Sequence, residues 1–383
     1  MSGPFAGRRF ADALCVDRRS ASPFAGRTGP LLAALAAPAS MGVSGPGLAL
    51  PEAARALSAT PAATAWLMTA FGLGMALGTP LLSATVGRRH GTTGVVRAAA
   101  VLVALGALVI LLAPNLPLAV AGRALEAAGA AGLNVAAFQL AGRDRSGRAP
   151  GLVAIGSAAG GTAGLFTGAA VAGAFGWRGA LVLPLLSLPA LRPVLSLANE
   201  ESPRTPTPTP TPTPTSTPGL PLGILRNSRF LSAAALMLTL STVNFALLYA
   251  APRRVAALTG WGPVETGAVA SVAALAGALL SWQLVRVAPA LGAVRLKGLL
   301  GAGSTVALVL AVTAPWPVAV LVGSGTSALV TAGGQGLLSG AATETLPAGR
   351  HGNAIGLFNL AFLIGVAAGP ALASFADQTV QFI

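Results

Sequence analysis

Charge is what this 383-residue sequence has least of: 9% of its residues are charged, and Asp and Glu together number only 10. A soluble globular domain carries about 25% charged residues, so an ordinary soluble enzyme is excluded. Disorder is excluded as well, because 54% of the residues are hydrophobic and the mean hydropathy is +0.75. Cys15 is the only cysteine, which rules out an intramolecular disulfide and any multi-cysteine metal site. His90 and His351 have no ligand-type neighbour one helical turn away, so no metal and no cofactor are expected. An intramembrane enzyme is disfavoured for the same kind of reason, since no Ser/His or paired-carboxylate constellation appears and no catalytic residue can be named.

What the sequence does have is long apolar runs and a formal charge of +14. In a soluble protein that charge would suggest a nucleic-acid partner, but the arginines are spread over short connections between apolar runs instead of forming one patch. They orient a polytopic membrane protein. At about 20 apolar residues per crossing, the runs divide into eleven spans, at 30–50, 63–85, 94–113, 117–140, 151–174, 179–198, 229–251, 264–287, 295–314, 316–340 and 353–375. Alternate connections collect the basic residues: the tail with Arg8, Arg9, Arg18, Arg19 and Arg27, then Arg88, Arg89 and Arg97, then Arg143, Arg145 and Arg148. Only Arg55, Arg178, Arg253 and Arg254 fall on the other side, which predicts a cytoplasmic N-terminus. The first apolar run starts too far from Met1 for a secretory signal peptide.

Four segments follow: a basic cytoplasmic tail at 1–29, an N-terminal six-helix bundle at 30–198, a cytoplasmic linker at 199–228, and a C-terminal bundle of about five helices at 229–383. The linker repeats Thr-Pro from Thr205 to Pro214. Proline at every second position removes donors and fixes φ, so this stretch is extended polyproline II, a hinge or else a docking site for a proline-reading domain. Short matches across the linker suggest a repeat. Leu81-Leu82-Ser83 resembles Leu279-Leu280-Ser281, and Gly160, Gly164 and Gly168 are answered by Gly365 and Gly369.

The run from Leu67 through Phe71-Gly72-Leu73-Gly74 to Leu82 is followed by Gly87-Arg88-Arg89, Ala113-Pro114-Asn115, Gly122-Arg123-Ala124-Leu125 and Gly176-Trp177-Arg178. Tyr249-Ala250-Ala251-Pro252, Thr259-Gly260-Trp261 and Gly352-Asn353-Ala354-Ile355-Gly356-Leu357 continue the order. This ordered set resembles major facilitator superfamily drug:proton antiporters of the bacterial chloramphenicol-resistance type, over about residues 30–375. The resemblance implies an all-α membrane protein of two pseudo-symmetric helical bundles with alternating access. It also implies twelve helices, so a chain with eleven spans reads as lacking the last one or as miscounted. Three departures stand out. The connection Ser83-Ala84-Thr85-Val86-Gly87 lacks the family's gate carboxylate, Ser40-Met41-Gly42-Val43 lacks an acid often found in span 1, and Gly164-Leu165-Phe166-Thr167-Gly168 keeps the glycines of the antiporter signature without its central proline.

Arg123 and Glu126 are the sharpest feature, three residues apart on one face of span 4. A charge at membrane depth costs about 2.5–3.5 kcal/mol on insertion scales. The resemblance makes Arg123 the span-4 arginine implicated in proton coupling, with Glu126 in place of a glutamine. Either Glu126 exchanges protons while Arg123 tunes its proton affinity, or the two form a self-neutralising structural pair. The other acids, Glu52, Glu265, Glu344 and Asp377, fall at span ends where water can reach them. Polar side chains inside apolar spans, Asn134, Gln139, Asn244, Tyr249, Gln335 and Asn359, are candidates to line a substrate cavity or to bond between helices. Arg88 and Arg89 are candidates for gating, and the stripe Gly160, Gly164, Gly168 for close packing at an interface that rocks.

These readings together predict a monomeric multi-pass protein of the cell inner membrane. It would meet membrane lipid, protons and a small lipophilic or amphiphilic substrate such as an antibiotic, and no nucleic acid. The alternatives are an uncoupled facilitator and a truncated, non-transporting remnant.

Overall fold

A backbone in lipid has to satisfy its own hydrogen bonds, and helices do this within one segment. The computed structural model describes residues 25–141, 148–200, 222–347 and 350–381, and these residues are helical almost throughout, with no strand among them. The tail, Arg143, Arg145 and the Thr-Pro repeat lie outside the described residues.

Eleven helices form the array. They are α1 (Ala25–Ser44), α2 (Pro61–Leu82), α3 (Arg88–Leu112), α4 (Leu116–Ala141), α5 (148–175) and α6 (177–200), then α7 (Ser228–Thr259), α8 (263–291), α9 (293–313), α10 (Pro317–Thr343) and α11 (His351–Gln381). Nine stretches among the described residues are long and apolar enough to cross a membrane. The other two positions are filled by α4, which carries Arg123 and Glu126, and by α6, which passes from α-helix into a 3₁₀ segment at Leu183–Ala190 around Pro184 and Pro189. The sequence predicts a break between spans 8 and 9 near residue 290, and the chain reverses there at one residue, Gly292, whose φ of +72° is open to glycine.

Successive helices run antiparallel, so the connections fall into two sets. One end of the array carries 83–91, the linker, Gly292 and 344–350, and is called the linker end here. The opposite end carries 49–60, 113–115, Gly176, 260–262 and 314–316. Trp66, Trp261 and Trp316 are exposed at the opposite end, where indole rings sit at a membrane interface. Three of the four basic residues on that side have local duties. Arg178 donates to the Ala113 carbonyl at the close of α3 (2.7 Å), and Arg254 donates to the Ala314 carbonyl at the close of α9 (2.9 Å). Arg253 lies over the Tyr249 ring at 3.9 Å.

The two halves are repeats at the level of individual contacts. Gly164 of α5 abuts the Ser44 hydroxyl and the Met41 carbonyl of α1, and Gly365 of α11 abuts the Ser241 hydroxyl and the Leu238 carbonyl of α7. Gly122 and Gly323 pack in the same way against the helices before them, α3 and α9. In that register Gly74 on Ala124 corresponds to Gly277 on Gly325, so the Leu-Leu-Ser match at 81–83 and 279–281 is out of step and was fortuitous.

The glycine stripe of α5 faces α1: a Cβ at Gly160 would run into the Ala37 carbonyl, and one at Gly168 into Gly45. That seam lies inside one half, not at an interface between halves. The halves meet through α2 against α11 and α5 against α8. Gly72 touches Ala367, Gly267 lies beside Leu165 and Ala169, and Phe71 and Met75 share a core with Phe245, Leu363 and Val366. Near the opposite end Tyr249 of α7 joins Ala49, Leu50 and Trp177.

Gly160 and its neighbour Gly161 provide a matched comparison, because a Cβ at Gly161 meets nothing within 4 Å. Gly160→Ala is expected to destabilise the protein by about 1–3 kcal/mol through overpacking, whereas Gly161→Ala is expected to be neutral or to gain up to about 1 kcal/mol from helix propensity. Thermal unfolding of the two variants in detergent checks this.

Candidate functional site: a buried ion pair on α4

Proline creates the site. In α1 the Gly42 carbonyl would normally accept from the N–H four residues on, but that residue is Pro46 and has none. In α6 the helix ends at Leu181, Pro184 has no N–H to offer, and the Leu185 N–H is taken by the Val182 carbonyl (3.0 Å). Two carbonyls are therefore left without main-chain donors inside the N-terminal half. Such groups are costly away from water.

Arg123 supplies the donors. Its Nη2 donates to the Gly42 carbonyl at 2.6 Å and its Nη1 to the Leu181 carbonyl at 2.6 Å, while Nε reaches toward the Leu67 carbonyl of α2 at 3.5 Å. The guanidinium lies 4.1 Å from the centre of the Phe71 ring. One fully buried side chain on α4 thus joins α1, α2 and α6. The fork-shaped donor set of arginine is what this geometry uses, and lysine has no equivalent. Gly42 is required beside it, because a Cβ there would enter Phe71 and Pro184.

The positive charge is balanced one turn along α4. Arg123 Nη1 donates to Glu126 Oε2 at 2.6 Å, and both side chains have zero exposure. α4 comes close to α3 at this level because residue 106 is glycine; a Cβ there would strike the Glu126 backbone. Glu126 Oε1 is buried and has no hydrogen-bond partner among the described residues. The arrangement is therefore half satisfied: one carboxylate oxygen is held by the guanidinium and the other is open to a proton. The repeat sharpens the contrast. In the register set by Gly122 and Gly323, Arg123 and Glu126 correspond to Ser324 and Ser327, so the C-terminal half has hydroxyls where the N-terminal half has an ion pair.

The candidate cavity residues are scattered. Asn134 is half-buried and accepts from the Ser157 hydroxyl (3.1 Å), a bond between α4 and α5. Asn244 and Gln335 are half-buried on α7 and α10, while Gln139 and Asn359 are exposed on α4 and α11. Tyr249 is buried near the opposite end. The hydrogen bonds among the described residues join none of these six to another. Arg89 is exposed at the start of α3, and the Arg88 side chain lies outside the described residues. No cluster of metal-ligating residues occurs among the described residues. Phe71, Gly42 and Leu181 were not singled out from sequence; Pro46 and Pro184 were the available signal, since each orphans a carbonyl in an apolar run.

The sequence profile of the Major Facilitator Superfamily matches residues 31–370, almost the entire array. The chain belongs to the Major Facilitator Superfamily. It is a multi-pass membrane transporter and not an enzyme. A comparison with curated proteins gave no match. Among solved structures it is similar to a bacterial homolog of the human lysosomal transporter Spinster in an inward-facing, unoccupied conformation, with 20% identity and a TM-score of 0.69, covering 94% of this chain and 83% of that one. It is also similar to the nucleoside transporter NupG, with 12% identity, coverage of 92% and 91%, and a TM-score of 0.69. The POT family transporter PepTSo gives 13% identity, coverage of 93% and 92%, and a TM-score of 0.66. At these identities the likeness is one of fold.

For this superfamily member, removing one partner of the pair should be worse than removing both. Arg123→Met is expected to destabilise by about 3–5 kcal/mol, because it leaves an uncompensated buried carboxylate. Adding Glu126→Met should recover part of that loss, the remainder being the two orphaned carbonyls. A double-mutant cycle of thermal unfolding in detergent measures both terms.

Proposed function

We propose that this transporter exports small lipophilic or amphiphilic compounds, antibiotics among them, in exchange for protons, with Glu126 as the exchanging group and Arg123 as its counter-ion. The observation that carries the reading is the open Oε1 of a fully buried Glu126 beside a guanidinium that is otherwise occupied by carbonyls. A proton arriving at Glu126 neutralises the carboxylate and weakens the 2.6 Å bond to Nη1; its departure restores the pair. Each cycle thus changes the cohesion of α4 with its own half. In this reading Asn134, Gln139, Asn244, Tyr249, Gln335 and Asn359 are the polar positions available to a substrate, and the few charges and aromatics in the spans suit a weakly polar one. The chain sits in the inner membrane as a monomer with its N-terminus in the cytoplasm, a placement supported by the basic residues of the linker end. The linker end is then cytoplasmic, and the contacts near the opposite end close the outer side.

An uncoupled facilitator is the second reading. It is favoured by the way Arg123 ties three neighbouring helices through their carbonyls, a structural duty complete without any proton exchange.

Efflux from proteoliposomes under an imposed pH gradient separates the two. For Glu126→Gln, the exchange reading expects gradient-driven efflux to fall at least about tenfold, matching the loss of one driving step, while counterflow without a gradient persists. Unchanged gradient-driven efflux favours the facilitator. Orientation has its own readout in Cys15, the only cysteine. A membrane-impermeant maleimide is expected to label it in inside-out vesicles and not in right-side-out ones.

A further inference from the structure

We propose that the Ser271 hydroxyl and the main-chain N–H of Phe166 form a latch between the two halves, one that holds the opposite end shut and breaks each time the transporter opens there. The Phe166 N–H donates to Ser271 Oγ at 3.1 Å. The donor belongs to α5 and the acceptor to α8, so the bond crosses from one half to the other. A main-chain N–H in mid-helix ordinarily serves the carbonyl four residues earlier, within its own segment. Here a side chain of another helix also accepts from one.

The surroundings hold the bond in place. One face of α5 is fixed to α1, because the Ser44 hydroxyl donates to the Gly161 carbonyl at 2.6 Å and Gly164 and Gly168 lie against α1 and Gly45. The other face meets α8. Gly267, one turn before Ser271, brings α8 so close that its missing Cβ would sit 3.0 Å from the Leu165 carbonyl and 3.2 Å from the Ala169 Cβ. Ser271 itself is 9% exposed, so the bond lies within the tight α5–α8 contact. Removing the hydroxyl therefore shifts the balance between the joined and the separated halves by the free energy of one hydrogen bond.

The sequence adds a specific point. Phe166 occupies the middle of Gly164-Leu165-Phe166-Thr167-Gly168, where the pattern noted above has proline. Proline has no N–H, so a chain with proline at this position cannot make the bond. The departure from the pattern supplies the donor. The Phe166 ring, 45% exposed, is not part of the latch.

The proposal rests on alternation between two open ends and not on the substrate or on proton coupling, so its test uses neither. In a Cys15→Ser background, spin labels at Arg55→Cys and Ala257→Cys, both exposed at the opposite end on different halves, report the separation there by double electron–electron resonance in lipid nanodiscs. Ser271→Ala is expected to raise the ratio of the long to the short separation about fivefold, the population effect of one hydrogen bond. Ser271→Thr, which keeps the hydroxyl, and Phe166→Ala, which keeps the N–H, are expected to match the parent. Phe166→Pro should shift the ratio in the same direction as Ser271→Ala. A Ser271→Ala distribution identical to the parent's overturns the latch, as does a Phe166→Ala variant that shifts as far as Ser271→Ala, since the ring would then be the cause. A failed efflux experiment with Glu126→Gln leaves these distances untouched, so the two proposals fail separately.

Discussion

Every main-chain carbonyl in a lipid-embedded bundle needs a donor, and at two places in the N-terminal half of this transporter one side chain supplies the donor that proline takes away. Pro46 and Pro184 each interrupt a helix so that it can bend, and each leaves a carbonyl exposed to the interior of the half. Arg123 collects both. The arrangement explains why an arginine is tolerated at a depth where charge costs free energy. Its hydrogen-bonding work is fixed by backbone geometry, and its charge is met by Glu126 one turn away. The ion pair then follows from the prolines. Bends demand a donor, the donor carries a charge, and the charge needs a carboxylate whose second oxygen remains available.

The repeat shows that this solution is local. The C-terminal half copies the glycine contacts of the N-terminal half closely, yet Ser324 and Ser327 stand where the ion pair would be. Helix packing and charge therefore vary independently in this fold. The glycines set how near the helices come, and that spacing is common to both halves. What fills the interior at each level differs, and the buried ion pair belongs to the N-terminal half.

Much of the architecture was legible in the sequence because its signals are strong and local. Apolar runs of the right length located the eleven helices. The glycine stripe of α5 was visible as spacing, but its partner was not. Spacing shows that a face is bare, and only the fold shows that α1 lies against it. The Leu-Leu-Ser match failed for a related reason, since three common residues in apolar helices carry too little information to fix a register. Arg123 and Glu126 stood out as charges in an apolar run, and their pairing followed from helical geometry. The carbonyls of Gly42 and Leu181 come from helices far away in the chain, so no local pattern joins them to Arg123. The six scattered polar residues show the limit most clearly, because a polar side chain in an apolar run looks the same whether it faces a neighbouring helix, as Asn134 faces Ser157, or something else.

The single-glycine reversals at Gly176 and Gly292 have a mechanical consequence. A turn made by one residue has almost no slack, so the helices it joins cannot slide past one another by more than the turn can stretch. α5 with α6 and α8 with α9 are therefore coupled levers, and displacement of one member is passed to the other with little loss. α5 and α8, one of the two helix pairs that touch across the halves, each belong to such a couple. Movement at their contact is carried outward to α6 and α9, whereas the longer connection at 49–60 is where the chain can absorb a change in length.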